Sequence, residues 1–202
     1  MVRADSDIQT LDDLSGHTVS IGAKESGTER NASQILEFAG MPSSLVATKN
    51  LDYIEATKEL KAGDIDAFFC TAGLTTTVID ELSKECDIRL IPLTDTVISK
   101  MLESSSAYTS EVIPAGTYTG QTTDISTIGV KSVLITKSDV SDDTIEQLTS
   151  LLFEKENELS YSNSLKLELT YDFATGDIPI PFHKGAKRYY EDLSLIHISE
   201  PT

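Results

Sequence analysis

Apolar residues follow two different spacings along the first half of the chain. Short apolar runs such as residues 65–70 (IDAFFC) predict strands that are buried on both faces. Amphipathic segments with stop signals, such as residues 28–38 followed by Gly40 and Pro42, predict helices. The two types alternate, with strands predicted at 17–22, 65–70 and 88–93 and helices at 28–38, 52–61 and 75–84. This alternation indicates an α/β lobe over residues 5–92.

The pattern changes after Leu93. We predict a helix at 96–103, a Ser/Thr-rich connection at 104–110, and then mostly strands, at 116–119, 125–130 and 133–136. Ser141 precedes a long amphipathic run and caps a predicted helix over residues 142–159. Residues 93–192 hold too few strands to close a sheet of their own, so we interpret them as the return of the chain to another, partial lobe.

Both ends of the chain differ from the rest. Residues 1–4 lead directly into the predicted α/β lobe with no structural unit before them. We interpret them as a hinge strand that comes from a missing N-terminal part. The strands that residues 93–192 lack would then come from upstream, which leaves the first lobe of a two-lobe protein incomplete. Residues 193–202 (LSLIHISEPT) resemble a translated sequencing adapter, and we leave them out of the fold prediction.

The chain is strongly acidic. Its 202 residues include 33 Asp and Glu against 16 Lys and Arg, which gives a net charge of −17. Such a surface repels phosphate backbones and anionic lipid headgroups, so we expect neither nucleic acid nor a membrane surface as a partner. No apolar run approaches the roughly 20 residues that span a bilayer, so we expect no direct membrane insertion of this chain.

One candidate binding loop runs from Gly22 to Thr28, between a predicted strand and a predicted helix. Free backbone N–H groups at a helix start favour a carboxylate or another anion, and Ser26 and Thr28 add hydroxyl donors. The glycine spacing matches a nucleotide P-loop, but Thr28-Glu29 follows where that motif requires Lys-Ser or Lys-Thr, so we exclude nucleotide hydrolysis. An ordinary helix cap at Ser26 or Thr28 explains the same residues equally well.

A second candidate loop, residues 71–75, follows the apolar run at 65–70. Ligands of open α/β sheets bind beyond the carboxyl ends of the strands, and the loop after Ile21 belongs to the same predicted edge. We therefore expect the two loops to face one cleft. A simple strand–helix turn is the alternative for each loop taken alone.

The sequence contains no recognisable catalytic motif. His17, His183 and His197 do not lie at metal-ligand spacing, and neither Cys70 nor Cys86 is next to a histidine. A disulfide between the cysteines and a buried free thiol at Cys70 both stay open. We therefore expect no enzyme activity, no metal and no cofactor.

Four parts of the chain follow one another in the order of a known family. They are DLSGHTVSIG at 13–22, SGT at 26–28 with LEFAGM at 36–41, LKAGDIDAFF at 60–69, and IPFHKGAKRYY at 180–190. Together they resemble the TAXI family, the substrate-binding subunits of TRAP transporters. The resemblance runs over nearly all of residues 2–192.

The resemblance implies a type II periplasmic-binding fold whose two lobes close on a small anionic or zwitterionic solute, here with the first lobe incomplete. The implied ligand is a small organic acid or amino acid, glutamate-like or a dicarboxylate, that is delivered to TRAP-type membrane permease subunits. The implied location is extracytoplasmic, in the periplasm or on the outer face of the cytoplasmic membrane. The implied binding residues are Ser26, Gly27, Thr28, Thr71, Ala72, Gly73 and Tyr118.

Two positions add detail to the resemblance. Thr75 stands where the family usually has proline, and this difference predicts a looser turn. Tyr118 matches an aromatic position that approaches the ligand, and a tyrosine that serves only the core is the alternative.

Two other functions stay open on the sequence. A ligand-sensing domain of a signalling protein would use the same fold. An enzyme on the same scaffold is a less favoured alternative, because a fold does not fix a function. Such an enzyme would need an acid, a base or a nucleophile in the cleft, and turnover of the bound acid would reveal it.

Overall fold

The structure is a computed structural model that describes residues 1–42, 44–154, 169–176 and 178–198, with side chains up to Leu193. The chain divides into two units, residues 1–130 and residues 131–202. The strands of the first unit are β1 (Val2–Arg3), β2 (Thr18–Ser20), β3 (Ala47–Lys49), β4 (Ala67–Phe68), β5 (Ile88–Arg89), β6 (Tyr108–Ile113) and β7 (Ile125–Val130). Its helices are α1 (Gly27–Phe38), α2 (Tyr53–Ala62), α3 (Thr77–Glu85) and α4 (Asp95–Ser104), with a 3-10 turn at Asp12–Leu14.

A mixed five-stranded sheet with the order β3-β2-β4-β1-β5 forms the centre of the first unit. Strand β2 runs parallel to β3 and β4, whereas β1 lies antiparallel between β4 and β5. A separate antiparallel pair joins β6 to β7. The α/β class predicted from the sequence is therefore confirmed. Residues 1–4 supply β1, and their role as a hinge strand stays a prediction.

The helices of the first unit begin and end at residues that favour helix ends. Ser26 caps α1, because its hydroxyl oxygen accepts the backbone N–H of Glu29 at 3.1 Å. Asp52 and Glu55 form a reciprocal capping box at the start of α2, and Gly63 ends that helix in the left-handed conformation. Helices α1, α2 and α3 each follow a strand of the parallel part of the sheet, so the loops that precede them lie at its carboxyl edge.

Apolar side chains fill both faces of this sheet. On one face Val19 and Met101 are completely buried, together with apolar residues of α1 and α4. On the other face Leu60 and Phe68 are equally inaccessible, together with residues of α2 and α3. Burial on both faces explains why residues 65–70 are apolar almost throughout.

The structure contradicts two of the predicted strands. Residues 116–119 form turns. The residues between Gly116 and Gly120 have side chains that favour strands, but the two glycines adopt φ angles of 79° and 80°, which do not occur in a regular strand. Residues 133–136 form no strand, and no described strand pairs with them. Strand β6 instead occupies part of the segment 104–110 that the sequence predicts as a Ser/Thr-rich connection.

The second unit contains the helices α5 (Asp142–Glu154), α6 (Tyr171–Thr175) and α7 (Lys184–Ile198). Ser141 accepts the backbone N–H of Thr144 at 3.4 Å, so the predicted cap of α5 is confirmed. Residues 155–159 of the predicted helix lie outside the described residues. Helix α7 continues past Leu193, and the adapter origin of residues 193–202 stays a prediction. The assignment of residues 5–92 and 93–192 to two lobes also stays a prediction.

Helices α5 and α7 pack closely within the second unit. A Cβ atom at Gly185 would lie 2.0 Å from the carbonyl oxygen of Asp142, so only glycine fits at this position. Arg188 of α7 forms ion pairs with Asp143 and Glu146 of α5, each at 2.8 Å. This contact accounts for the glycine in the HKGA segment.

Candidate functional site

Residues 22–28, named the first loop, join β2 to α1 and are shaped by their own packing. Gly22 has a φ of +96°, and a Cβ atom at this position would lie 2.7 Å from the side chain of Thr28. Glu25 is also left-handed, with a φ of 63°. The first loop therefore depends on contacts between residues that are near neighbours in sequence.

The first loop presents a backbone donor and charges of both signs. The exposed N–H of Gly27 donates no hydrogen bond within the described part of the chain. The Glu29 carboxylate accepts the N–H of Glu25 at 2.5 Å and the side-chain amide of Asn50 at 2.8 Å. An open depression of about 530 Å³ lies at this loop and is lined by Glu25, Ser26, Gly27, Glu29, Arg30 and Ser33.

Residues 71–76, named the second loop, join β4 to α3. Thr71, Ala72 and Gly73 are all exposed. Among the described residues, nothing accepts a hydrogen bond from the backbone N–H of Ala72 or Gly73. Thr75 adopts a φ of 59°, which proline cannot adopt.

The hydroxyl group of Tyr53 joins the two loops. It lies 2.7 Å from the hydroxyl of Thr28 in the first loop. It donates to the carbonyl oxygen of Thr71 at 2.8 Å and accepts the N–H of the same residue at 3.2 Å. The structure therefore brings the first and second loops to one edge of the sheet.

A second set of polar contacts reaches the second loop from α1 and β6. The side-chain amide of Asn31 donates to the Thr71 hydroxyl at 3.3 Å. The hydroxyl of Tyr108 donates to the amide oxygen of Asn31 at 2.9 Å. Thr71 is thus held through its backbone by α2 and through its side chain by α1.

Tyr118 supports the second loop from inside the first unit. Its side chain is buried with Phe68 and Ile79, and its phenol oxygen accepts the backbone N–H groups of Thr75 and Thr76. Burial raises the pKa of Tyr118 above its ordinary value, and the nearby Cys70 thiol raises it further. The group stays neutral at physiological pH and serves as a fixed hydrogen-bond partner.

The sequence analysis did not identify Asn50 and Tyr53 as residues of the site. Both follow β3, which the sequence analysis did not predict because its residues Ala47–Lys49 carry no apolar run. The segment between two predicted helices was the available signal, since a βα alternation requires a strand there. A third strand parallel to β2 would have placed its loop at the same carboxyl edge.

Cys70 lies at the root of the second loop, directly before Thr71. Burial raises the pKa of its thiol to about 11, and a hydrogen bond with Tyr53 offsets only part of this effect. Cys70 and Cys86 are both free, so the disulfide left open by the sequence is absent. A thiol that stays protonated at neutral pH is a poor nucleophile.

The side chains around the two loops have the chemistry of a binding site. Hydroxyl groups and exposed backbone N–H groups come together there, with Arg30 and two glutamates at the rim of the depression. Within the described part of the chain, no group of three or more His, Cys, Asp or Glu side chains could hold a metal ion. His183 lies in the second unit, where its Nδ1 accepts the N–H of Gly185 at 3.1 Å.

The chain belongs to the NMT1-like family, whose model matches residues 1–193. Among solved structures it is similar to the periplasmic aliphatic sulphonate binding protein SsuA from Escherichia coli, with a TM-score of 0.40 and 17% identity. This similarity covers 95% of the chain and 53% of SsuA, so the chain spans about half the length of that protein. Over the described residues, none of the helices has the length and apolar character needed to cross a membrane.

Proposed function

We propose that this member of the NMT1-like family is an extracytoplasmic solute-binding protein that captures a small organic acid or amino acid. The observation that carries the proposal is the meeting of two loops with free, exposed backbone N–H groups at the carboxyl edge of β2 and β4. Such an edge is where open α/β sheets bind their ligands. No side chain in these loops offers an activated nucleophile, which favours binding over turnover.

The proposed binding residues divide into two groups. Gly27, Ala72 and Gly73 would donate backbone N–H groups to the ligand, and Ser26 would add its hydroxyl proton while its oxygen caps α1. Thr28, Thr71 and Tyr118 would hold the loops in place, because contacts within the first unit already engage their hydroxyl groups.

The charges at the first loop favour an amino acid over a simple dicarboxylate. Backbone N–H groups and Arg30 suit a carboxylate, whereas Glu25 and Glu29 at the same depression suit an ammonium group. A zwitterion such as glutamate satisfies both sets of charges. A dicarboxylate would place its negative charge against the two glutamates.

Further features of the proposal rest on the resemblance of the sequence to the TAXI family. They are closure of two lobes over the ligand, delivery to a TRAP-type membrane permease, and a location outside the cytoplasm. Lobe closure would require the ligand to favour the closed state, because a ligand shifts an equilibrium only through differential affinity.

A thermal-shift screen tests the proposed function. The chain is melted with glutamate, with succinate as a dicarboxylate, and with ethanesulfonate, since the similar protein SsuA is named for aliphatic sulphonates. A ligand present at one hundred times its dissociation constant stabilises a protein by about 2.7 kcal/mol. We expect the largest rise of the melting midpoint with glutamate.

Two variants decide whether the response comes from the proposed site. Ser26→Ala combined with Thr28→Ala should abolish the ligand-induced shift. Thr94→Ala is the matched control, because Thr94 caps α4 as Ser26 caps α1 but lies outside the two loops. Absence of a shift with all three solutes, or equal shifts in the double variant and the control, would contradict the proposal.

A further inference from the structure

The hydroxyl group of Tyr53 contacts three groups of the two loops, besides its hydrogen bond with the Cys70 thiol. A tyrosine hydroxyl carries one proton and two lone pairs. The proton goes to the carbonyl oxygen of Thr71 at 2.8 Å, and one lone pair accepts the N–H of Thr71 at 3.2 Å. The Thr28 hydroxyl lies within hydrogen-bond distance of the same oxygen, at 2.7 Å.

These bonds fix the orientation of the next peptide group. The carbonyl of Thr71 and the N–H of Ala72 belong to the same planar peptide, and the peptide bonds of the described residues are all trans. In a trans peptide the C=O and the N–H point in opposite directions. Since the Thr71 carbonyl points at Tyr53, the N–H of Ala72 must point away from it, and Ala72 is exposed.

We propose that Tyr53 is a positioning residue of the binding site, which aims the N–H of Ala72 at the ligand. This inference rests on the proposed function. Without the hydroxyl, the peptide between Thr71 and Ala72 could rotate, and the second loop would have to be ordered by the ligand itself. Ordering a loop on binding costs affinity, whereas a preorganised donor does not incur that cost.

The variant Tyr53→Phe tests this role, because it keeps the ring and removes only the hydroxyl. In the absence of any ligand, the backbone amide of Thr71 should exchange its hydrogen faster, since its acceptor is gone. The affinity for whichever of glutamate, succinate and ethanesulfonate binds the wild type most tightly should fall roughly ten-fold, which corresponds to one hydrogen bond's contribution. Tyr190→Phe is the control, since Tyr190 lies in the second unit and its partly buried ring packs against other aromatic side chains.

The outcomes separate this inference from the proposed function. Equal affinity in the wild type and in Tyr53→Phe would overturn the positioning role and leave the proposed function standing, even if the melting midpoint of the variant fell. Unchanged amide exchange at Thr71 would also overturn the positioning role. If none of the three solutes binds the wild type, the proposed function fails and the positioning role falls with it.

Discussion

The first and second loops reach the same edge of the sheet by different means. The first loop is held by neighbours in sequence, since Gly22 packs on Thr28 and Ser26 caps the helix that follows. The second loop is exposed and is held from a distance, by Tyr53 on α2 and by Tyr118 from beyond β6. Local chemistry can thus shape one half of a site while tertiary contacts shape the other half.

Among changes in the two loops, the largest effect on stability is expected from Gly22→Ala. The added Cβ atom would lie 2.7 Å from the Thr28 side chain, and a φ of +96° is unfavourable for alanine. We expect a loss of about 1–3 kcal/mol in the free energy of unfolding, measured by urea titration. Gly27→Ala is the matched control, because a Cβ atom at Gly27 meets no atom within 4 Å. Equal losses in both variants would contradict the close packing of the first loop.

A pH-dependent effect should arise at the root of the second loop. Because burial raises the pKa of Cys70 to about 11 from 9.0, the unfolded chain loses the thiol proton at lower pH than the folded chain does. The contribution of this thiol to stability is therefore fully present below pH 9 and falls as pH rises from 9 towards 11.

The difference between the wild type and Cys70→Ala isolates this contribution. By linkage, the wild type should lose about 1 kcal/mol relative to Cys70→Ala between pH 8 and pH 10. The measurement is the free energy of unfolding by urea at each pH. A difference that is constant over this range would show that the thiol is not buried.

A smaller effect is expected from Ser26→Ala in the first loop. Loss of the helix cap should cost about 1 kcal/mol, and Thr94→Ala should cost a similar amount at the start of α4. Only Ser26→Ala should also weaken ligand binding, as measured by calorimetric titration with glutamate. Equal affinity of the two variants for glutamate would show that Ser26 caps the helix but does not contact the ligand.

The smallest effect is expected from Thr75→Gly in the second loop. A β-branched residue is strained at a φ of 59°, and glycine relieves this strain at some cost in chain entropy. We expect a net gain of about 0.5 kcal/mol in the free energy of unfolding. Thr75→Pro should instead destabilise the chain, because proline is restricted to a φ near −65°. Stabilisation by proline would show that the second loop adopts a different turn.

The sequence predicted the parts of the fold that depend on local chemistry. The helices α1 to α4 follow from their apolar spacing and stop signals. Ser141 was recognised as a cap, and Ser26 was one of two candidate caps for α1, beside Thr28. The apolar run at 65–70 contains β4, which is shorter than predicted. The first loop could be placed for the same reason, because its glycines and hydroxyl residues lie within one short segment.

The remaining parts depend on contacts that sequence spacing does not reveal. Strand β3 is short and lacks an apolar run, so Tyr53 and its link between the loops could not be foreseen. Residues 116–119 have the composition of a strand, but glycines at both sides turn the backbone. Residues 133–136 also have that composition, but a strand requires a partner, and spacing along the chain does not show whether one exists.

The most direct test of the joint binding site is a titration of the isotopically labelled chain with glutamate, followed through the backbone amide signals. Our interpretation predicts that the signals of Gly27, Ala72 and Gly73 shift together with one dissociation constant, because the two loops would contact the same ligand. Shifts confined to one loop, or shifts with different dissociation constants, would contradict a single site formed by both.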